Sequence, residues 1–307
     1  MANTVKETSW WGAIEVADAH MHFFSPALFA ALEKEKGSDD VAGHLGWDKP
    51  ETPEALAGRW AAQMDAHHVS RAMLIASIPD DTSSIGAAIA RYPDRFTGVY
   101  MANPTLPAAD MKFESAAKED GVSGVFLFPA MHRYSLHDAQ VRSLVQAVAG
   151  HANPFVYVHC GALSIGFRQK LGLPSRFDMR YSNPIDLHEL ANDFPRVSFV
   201  VPHFGAGYFR EALMLADLCP NIYLDTSSSN HWMAWQPGNV NLADVLRQAL
   251  HVVGPKRLLF GSDSSWFPRG WVSKVFDDQA RTLAELGADA ETARAIFGGN
   301  LIRLLGV

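Results

Sequence analysis

The chain has 307 residues, of which 48% are hydrophobic and 19% charged, which is the composition of an ordinary globular protein with a large core. Its formal net charge is −7 and it contains no Lys/Arg cluster, so we expect no nucleic-acid partner. No stretch approaches about 18 uninterrupted apolar residues, so we expect no membrane-spanning segment. The two separated cysteines and the absence of an apolar leader in the first twelve residues favour a cytoplasmic protein.

Short apolar segments alternate with helical segments along the chain. The predicted strands are 14–18, 72–78, 96–101, 124–128, 155–158, 197–201, 222–224 and 257–260. The predicted helices are 54–69, 82–91, 108–119, 138–149, 184–193, 209–218, 242–251 and a helical tail over 272–305 with a break around 298–299. This alternation is typical of a parallel sheet, and eight units is the number that closes a barrel. We therefore predict an α/β fold, a distorted (β/α)8 TIM barrel, as a single domain over residues 1–307.

An open, doubly wound sheet is the competing architecture. Such a sheet usually carries a glycine-rich dinucleotide loop after its first strand. In this chain that position holds the sequence Asp-Ala-His-Met-His at 18–22. The barrel is therefore favoured.

Metal-binding residue types stand at the ends of the predicted strands. Side chains alternate faces along a strand, so Asp18, His20 and His22 are expected to project the same way. The ends of strands one, five, six and eight carry, in order, His20 and His22, His159, His203 and Asp263. Because reactive groups of α/β barrels lie at the C-terminal ends of the strands, we expect these side chains to meet at one rim.

Imidazole nitrogens and a carboxylate form a ligand set suited to one divalent ion, with zinc favoured and manganese or iron as competitors. Not all five side chains need to bind the metal. Asp263 could be a ligand or could accept a proton from water, and His203 could be a proton shuttle or an electrophile.

Seven motifs, spread over nearly the whole chain, carry a family resemblance. They are Asp-Ala-His-Met-His (18–22), Arg-Tyr-Pro-Asp-Arg-Phe (91–96), Val-His-Cys-Gly (158–161), Pro-His-Phe-Gly (202–205), Tyr-Leu-Asp-Thr-Ser (223–227), Phe-Gly-Ser-Asp (260–263) and Gly-Asn-Leu-Ile-Arg-Leu-Leu (299–305). Together they resemble the amidohydrolase superfamily, in particular the amidohydrolase 2 branch that includes the aminocarboxymuconate-semialdehyde decarboxylase type.

The resemblance implies that His20, His22, His159 and Asp263 bind one divalent metal, usually zinc, with His203 as the general acid/base or as the group that polarises the substrate. Binuclear members of the superfamily bridge two metals with a carboxylated lysine at the end of strand four. Residues 121–131 contain no lysine, so a mononuclear site is expected.

Two activities fit this site. The first is hydrolysis of a C–O or C–N bond in a small lactone- or amide-type substrate by metal-activated water, with His203 and Asp263 as the catalytic residues. The alternative is metal-dependent, non-oxidative decarboxylation of a conjugated or aromatic carboxylic acid. A barrel that has lost catalysis and serves only binding is a third possibility, which the complete ligand set argues against.

Substrate contacts are expected from the loops after the strands. The tryptophans of these loops are Trp232, Trp235, Trp266 and Trp271, and the candidate carboxylate-binding cations are Arg133, Arg168, Arg176 and Arg269. Among them we predict Arg133, Trp232, Trp266 and Arg269 as substrate-binding residues. The sequence does not identify the substrate. A homodimer is expected from the resemblance.

Overall fold

The computed structural model describes residues 5–227 and 230–307. Its strands are β1 (Val5–Thr8), β2 (Gly12–Phe23), β3 (Val69–Ala76), β4 (Phe96–Ala102), β5 (Val122–Leu127), β6 (Phe155–Val158), β7 (Ser198–Val201), β8 (Ile222–Asp225) and β9 (Leu258–Leu259). The strands pair in sequence order: β1 is antiparallel to β2, and every later pair is parallel.

The eight parallel strands β2–β9 close on themselves. Beyond β9 the chain runs back along β2, where the Ala19 amide donates to the Phe260 carbonyl at 2.8 Å and the His22 amide to the Ser264 carbonyl at 2.8 Å. In the other direction, the Asp263 amide donates to the His20 carbonyl at 2.9 Å. The predicted α/β barrel is therefore confirmed. We call this junction between β2 and residues 260–264 the seam.

Helices connect the strands. They are α1 (Pro26–Lys36), α2 (Val41–Leu45), α3 (Pro53–His67), α4 (Thr82–Arg91), α5 (Ala109–Glu119), α6 (Pro129–His132), α7 (Ala139–Ala149), α8 (Gly166–Lys170), α9 (His188–Asp193), α10 (Phe209–Leu218), α11 (Leu242–Val252), α12 (Ser273–Glu285), α13 (Ala290–Arg294) and α14 (Asn300–Leu305). A π-helical turn at Ala295–Gly299 joins the last two, at the break predicted from the glycines. Within the described ranges, no helix combines the length and apolarity needed to cross a bilayer.

The first barrel strand is longer than predicted. It continues to Phe23, so His20 and His22 lie within it and not after it. The pairing register with β3 shifts between Val16 and Ala17 and again between Asp18 and Met21. These irregularities let the strand continue along the seam while its side chains are turned toward the barrel mouth.

A small secondary cluster covers the mouth of the barrel. Helices α1 and α2, which the sequence interpretation left out, contribute Leu28, Phe29, Leu32 and Val41 to this cluster, and Phe24 precedes α1. Ser25 caps α1, Pro26 opens it and Gly37 ends it in the left-handed conformation. The main core fills the space between the strands and the surrounding helices, and it buries Cys160 and Cys219 as free thiols.

Candidate metal centre and active site

The C-terminal ends of the barrel strands surround a cavity of about 220 Å³. The five side chains predicted from the strand ends all line it: His20, His22, His159, His203 and Asp263. The barrel thus brings together residues from distant parts of the sequence at the rim where the reactive groups of α/β barrels lie.

Three donor atoms in this cavity converge. The Nε2 atoms of His20 and His22 are 3.4 Å apart, and Asp263 Oδ1 lies 3.4 Å from His22 Nε2 and 3.8 Å from His20 Nε2. Tetrahedral bonds of about 2.0–2.1 Å place zinc ligands roughly 3.3–3.4 Å from one another. The spacing of His20, His22 and Asp263 therefore fits one small divalent cation.

Asp225 sets the orientation of His20. The Nδ1 atom of His20 lies 2.5 Å from Asp225 Oδ2, and both side chains are buried. Because the carboxylate accepts, the proton belongs on Nδ1, and Nε2 presents its lone pair to the converging donors. Burial alone would lower the pKa of His20, but the Asp225, Asp263 and Asp18 carboxylates outweigh it and raise the pKa.

The surroundings of Asp263 favour its ionised form. Burial opposes its charge, but the hydrogen bond from His22 and the positive potential of His203, His20 and His22 lower its pKa well below the ordinary value. Its backbone has a φ of 56°, which places it in the left-handed region. The Arg269 guanidinium donates to the Asp263 carbonyl at 3.0 Å and supports this turn.

His203 faces the converging donors from the C-terminal end of β7. It lies in a left-handed kink after β7, with a φ of 55°, and its ring centroid is 4.8 Å from that of His20. Its Nδ1 is 2.8 Å from Ser227 Oγ and 3.3 Å from the Ser227 carbonyl. Because a carbonyl only accepts, Nδ1 carries the proton and Nε2 is the basic atom. Burial and the charge of His20 lower the pKa of His203, which favours the neutral ring.

His159 lines the same cavity but lies outside the three-donor cluster. Its ring centroid is 5.4 Å from that of His203, and its ring stacks on Phe128. Burial, reinforced by His203 and His20, lowers the pKa of His159 well below its ordinary value, and its Nδ1 is buried with no hydrogen-bond partner in the described chain. A neutral, unpaired imidazole is a competent ligand, and its role as the fourth ligand stays a prediction.

Two glycines permit this packing. A Cβ on Gly161, two residues after His159, would lie 2.1 Å from the Gly205 carbonyl oxygen in the His203 turn. A Cβ on Gly261 would lie 2.7 Å from the His20 Cβ and 2.9 Å from Asp225 Oδ1. A larger residue would have to displace the backbone of the His203 turn at Gly161, and the side chains of His20 and Asp225 at Gly261.

Asp18 does not join the site. Its carboxylate accepts from the amides of His20 and Ser262, from the Ser262 hydroxyl and from Trp271 Nε1. Burial raises the pKa of Asp18 to about 6, although these bonds oppose the shift. The expectation that Asp18 projects with the two histidines is not met, because the strand irregularity turns its side chain toward the seam. There its hydrogen bonds join β2 to the segment after β9.

The four predicted substrate-binding residues do not line the cavity. Arg133 ends α6 in an exposed left-handed position. Trp232 is 2% exposed and packs on Phe209, and Trp266 stacks on Trp47. Arg269 lies over Trp266 and reaches the Ser265 hydroxyl at 2.8 Å. Their contacts with substrate stay a prediction.

The sequence interpretation missed other members of the site. Asp225 and Ser227 lie in the Tyr-Leu-Asp-Thr-Ser motif, but the sequence does not reveal the bond between Asp225 and His20 or the position of Ser227 between His20 and His203. The aromatic walls are Phe24, Phe128 and Phe167 and not tryptophans. Phe24 directly follows β2 and Phe128 directly follows β5, so the strand ends carry a signal for two of the three.

The sequence pattern of the amidohydrolase family matches residues 17–307, and the chain belongs to that family. A hydratase of 2-keto-4-carboxy-3-hexenedioate from Sphingobium sp. is 28% identical over 259 residues, 72% of this chain and 68% of that protein. Protein fluG of Emericella nidulans is 36% identical over 87 residues, which are 28% of this chain and only 10% of that protein.

Solved structures share the fold. A 5-carboxyvanillate decarboxylase from Sphingomonas paucimobilis has a TM-score of 0.65 at 17% identity, over 96% of this chain and 99% of that one. A probable 2-pyrone-4,6-dicarboxylic acid hydrolase from Acinetobacter baumannii has a TM-score of 0.61 at 17% identity, over 95% and 99%. An amidohydrolase with bound zinc from Burkholderia multivorans has a TM-score of 0.57 at 18% identity, over 95% and 99%.

The family assignment makes the chain an enzyme of the amidohydrolase superfamily, as the motifs predicted. Hydrolysis and decarboxylation, the two activities expected from the sequence, both fit this membership.

Proposed function

We propose that the protein is a metal-dependent hydrolase that cleaves a C–O or C–N bond of a small lactone- or amide-type substrate. The observation that carries the proposal is the convergence of His20 Nε2, His22 Nε2 and Asp263 Oδ1 at the spacing of one ion, with His203 facing them. We further propose His159 as a fourth ligand and zinc as the ion, with manganese or iron as alternatives. Such an ion supplies Lewis acidity, which polarises a carbonyl and makes water acidic enough to react near neutral pH.

The protein's own groups manage the protons. His203 holds one proton on Nδ1 against Ser227, so its Nε2 can take a proton from attacking water and return it to the leaving group. Asp263 stays anionic and can accept a hydrogen bond from that water in addition to binding the ion. The cavity walls beyond these groups are mainly apolar.

Decarboxylation is the second candidate. The stack of Phe126 on Phe128, with ring centroids 4.3 Å apart, and Phe128 on His159 gives the cavity a flat aromatic side suited to a planar acid. In that reaction His203 would deliver a proton to carbon as CO₂ leaves.

The test begins with metal content and continues with products. Purified protein supplemented with zinc should hold about one equivalent per chain, lose turnover on chelation and regain it with zinc. Lactones, aryl amides and arene carboxylates are then supplied, and hydrolysed product is measured against released CO₂. Less than about a tenth of an equivalent of zinc, or full activity without metal, would contradict the proposal.

We also propose a cytoplasmic homodimer acting on a small molecule, with neither nucleic acid nor membrane as partner. The net charge of −7 supports the absence of a polyanionic partner. Light scattering coupled to size exclusion tests the dimer, since a chain of 33.7 kDa should then elute with twice that mass.

A further inference from the structure

The cavity is polar at one end and apolar elsewhere. Its polar end consists of the four histidines and Asp263 described above. The surrounding wall is formed mainly by Phe24, Met101, Phe128, Met131, Leu163 and Phe167. The other polar groups of the wall are neutral serine hydroxyls, and that of Ser77 is buried with no hydrogen-bond partner in the described chain.

Among the described residues that line this cavity there is no lysine or arginine. Residues 1–4 and 228–229, which lie outside the described ranges, contain neither residue type in the sequence. As far as the structure describes the wall, it therefore offers no lysine or arginine side chain to a substrate.

The nearby cations are already engaged or lie beyond the wall. Arg168 pairs with Glu35 in a neighbouring cavity, which Arg176 also lines, and Met101, Met131 and Phe167 line both cavities. Arg269 donates to the Asp263 carbonyl and the Ser265 hydroxyl and lies over Trp266. None of these guanidinium groups lines the space beside the metal ligands.

We propose that the site selects substrates with one polar head group attached to an uncharged body of about the size of a single ring. Substrates that carry a carboxylate in addition to that head group are rejected. This inference rests on the proposed metal-dependent function, because the head group is bound at the ion and by His203. A second carboxylate would be removed from water against apolar walls with no cation to pair with it, which is strongly unfavourable.

The cavity size agrees with this substrate class. A dry cavity of about 150 Å³ lined by apolar side chains can hold a benzene molecule. The cavity of about 220 Å³ therefore has room for a ring with its head group and a small neutral substituent, for which the Ser77 hydroxyl offers a hydrogen bond.

A matched pair of metal-binding probes tests the proposal. Benzohydroxamic acid and 3-carboxybenzohydroxamic acid share one head group and differ by one carboxylate. Their dissociation constants are measured by calorimetry on the zinc-loaded, full-length protein. We expect the unsubstituted probe to bind at least tenfold more tightly.

A wall variant provides the reverse experiment. Met131→Lys puts a cation of similar length into the wall and should shift the preference at least tenfold toward the carboxylated probe, whereas Met131→Leu should keep the wild-type preference. Circular dichroism establishes that each variant is folded, and Phe167→Lys with its control Phe167→Leu replaces the pair if Met131→Lys is not. Arg176→Ala and Arg269→Gln should leave the ratio of the two affinities unchanged.

The outcomes separate the two proposals. Equal or tighter binding of the carboxylated probe to metal-loaded wild-type protein overturns the substrate class and leaves the metal-dependent function standing. A fall in the affinity of the carboxylated probe relative to that of the unsubstituted probe in Arg176→Ala or Arg269→Gln also overturns it, because a guanidinium would then be binding the added carboxylate. A protein that takes up no zinc overturns the proposed function and this inference with it.

Discussion

The imidazole of His20 makes two different contacts, one on each nitrogen. Nδ1 is bonded to the buried Asp225 carboxylate, and Nε2 lies among the converging donors. A carboxylate behind a ligating histidine fixes its tautomer and makes it a stronger ligand. Asp225 is therefore a positioning residue for the metal site.

We expect Asp225→Asn to weaken zinc binding by about 10–100-fold, because the neutral amide holds the Nδ1 proton less firmly. Competition with a chromophoric zinc chelator measures the affinity directly and needs no substrate. The matched control is Asp217→Asn, which replaces an exposed carboxylate on α10. Equal affinities for the wild type and Asp225→Asn would show that Asp225 does not act through His20.

We expect His203→Gln to lower kcat by about 10²–10⁴-fold while the zinc content stays at the wild-type level. Glutamine can still donate to Ser227 but cannot take up a proton at the position of Nε2. Turnover is measured on the substrate found by the product assay, alongside the exposed control His251→Gln. If zinc is lost together with activity, His203 is a ligand and not the proton-transfer group.

At the scale of single elements, the short helix α6 contains a histidine that matters for stability. His132 has a buried Nδ1 with no hydrogen-bond partner among the described residues, and its ring stacks on Tyr134. Burial lowers its pKa from 6.5 to about 4. The folded state therefore favours the neutral ring, whereas the unfolded chain takes up a proton near pH 6.5.

The contribution of His132 is complete above pH 6.5 and is lost as the pH falls through the folded pKa of about 4. We expect the free energy of unfolding of the wild type to fall by up to ~3 kcal/mol relative to His132→Asn across that interval. Denaturant titrations of both proteins, in chelator to remove metal effects, measure the difference. The surface variant His251→Asn should follow the wild-type curve, and parallel curves for His132→Asn would contradict the argument.

Element types were predictable where the apolar segments are short and bounded. The β-strand Phe155–Val158 and the helices Thr82–Arg91 and Phe209–Leu218 have the predicted bounds. The β1–β2 hairpin was not predicted, and helix α1 was overlooked despite its Ser-Pro start and glycine stop. Periodicity also could not reveal the shifted register of β2, since that depends on its pairing with β3 on one side and with Ser264 on the other.

The sequence predicts which residues at the strand ends line the site, but it does not predict the contacts between their side chains. Spacing within one strand joined His20 to His22, and the barrel brought Asp263 to them. The bond from Asp225 to His20 and the phenylalanine walls depend on side-chain directions that only the folded chain fixes. For the same reason, the sequence alone could not decide which tryptophans and arginines of the loops line the cavity.

At the scale of the whole molecule, the three converging donors bridge the seam. His20 and His22 lie on the first strand of the barrel, and Asp263 follows the last one. Asp18 crosses the same junction by accepting from Ser262 and Trp271. An ion held by the three donors would therefore tie the two edges of the closed sheet together.

We expect zinc at 100 times its dissociation constant to add about 2.7 kcal/mol to the stability. For a chain of this length that corresponds to a rise in Tm of about 4 °C. Thermal denaturation with and without zinc measures the shift, and His22→Gln, which lacks one donor, should show little of it. An equal shift in His22→Gln would place the bound zinc elsewhere on the molecule.

The position of the site across the seam has a consequence for biosynthesis. A ribosome delivers the two histidines about 240 residues before the aspartate, so a nascent chain cannot assemble the complete donor set until the last strand of the barrel has been made. Cofactor acquisition is then a late event in the life of the polypeptide, and prematurely terminated products lack the carboxylate donor however well their early segments fold.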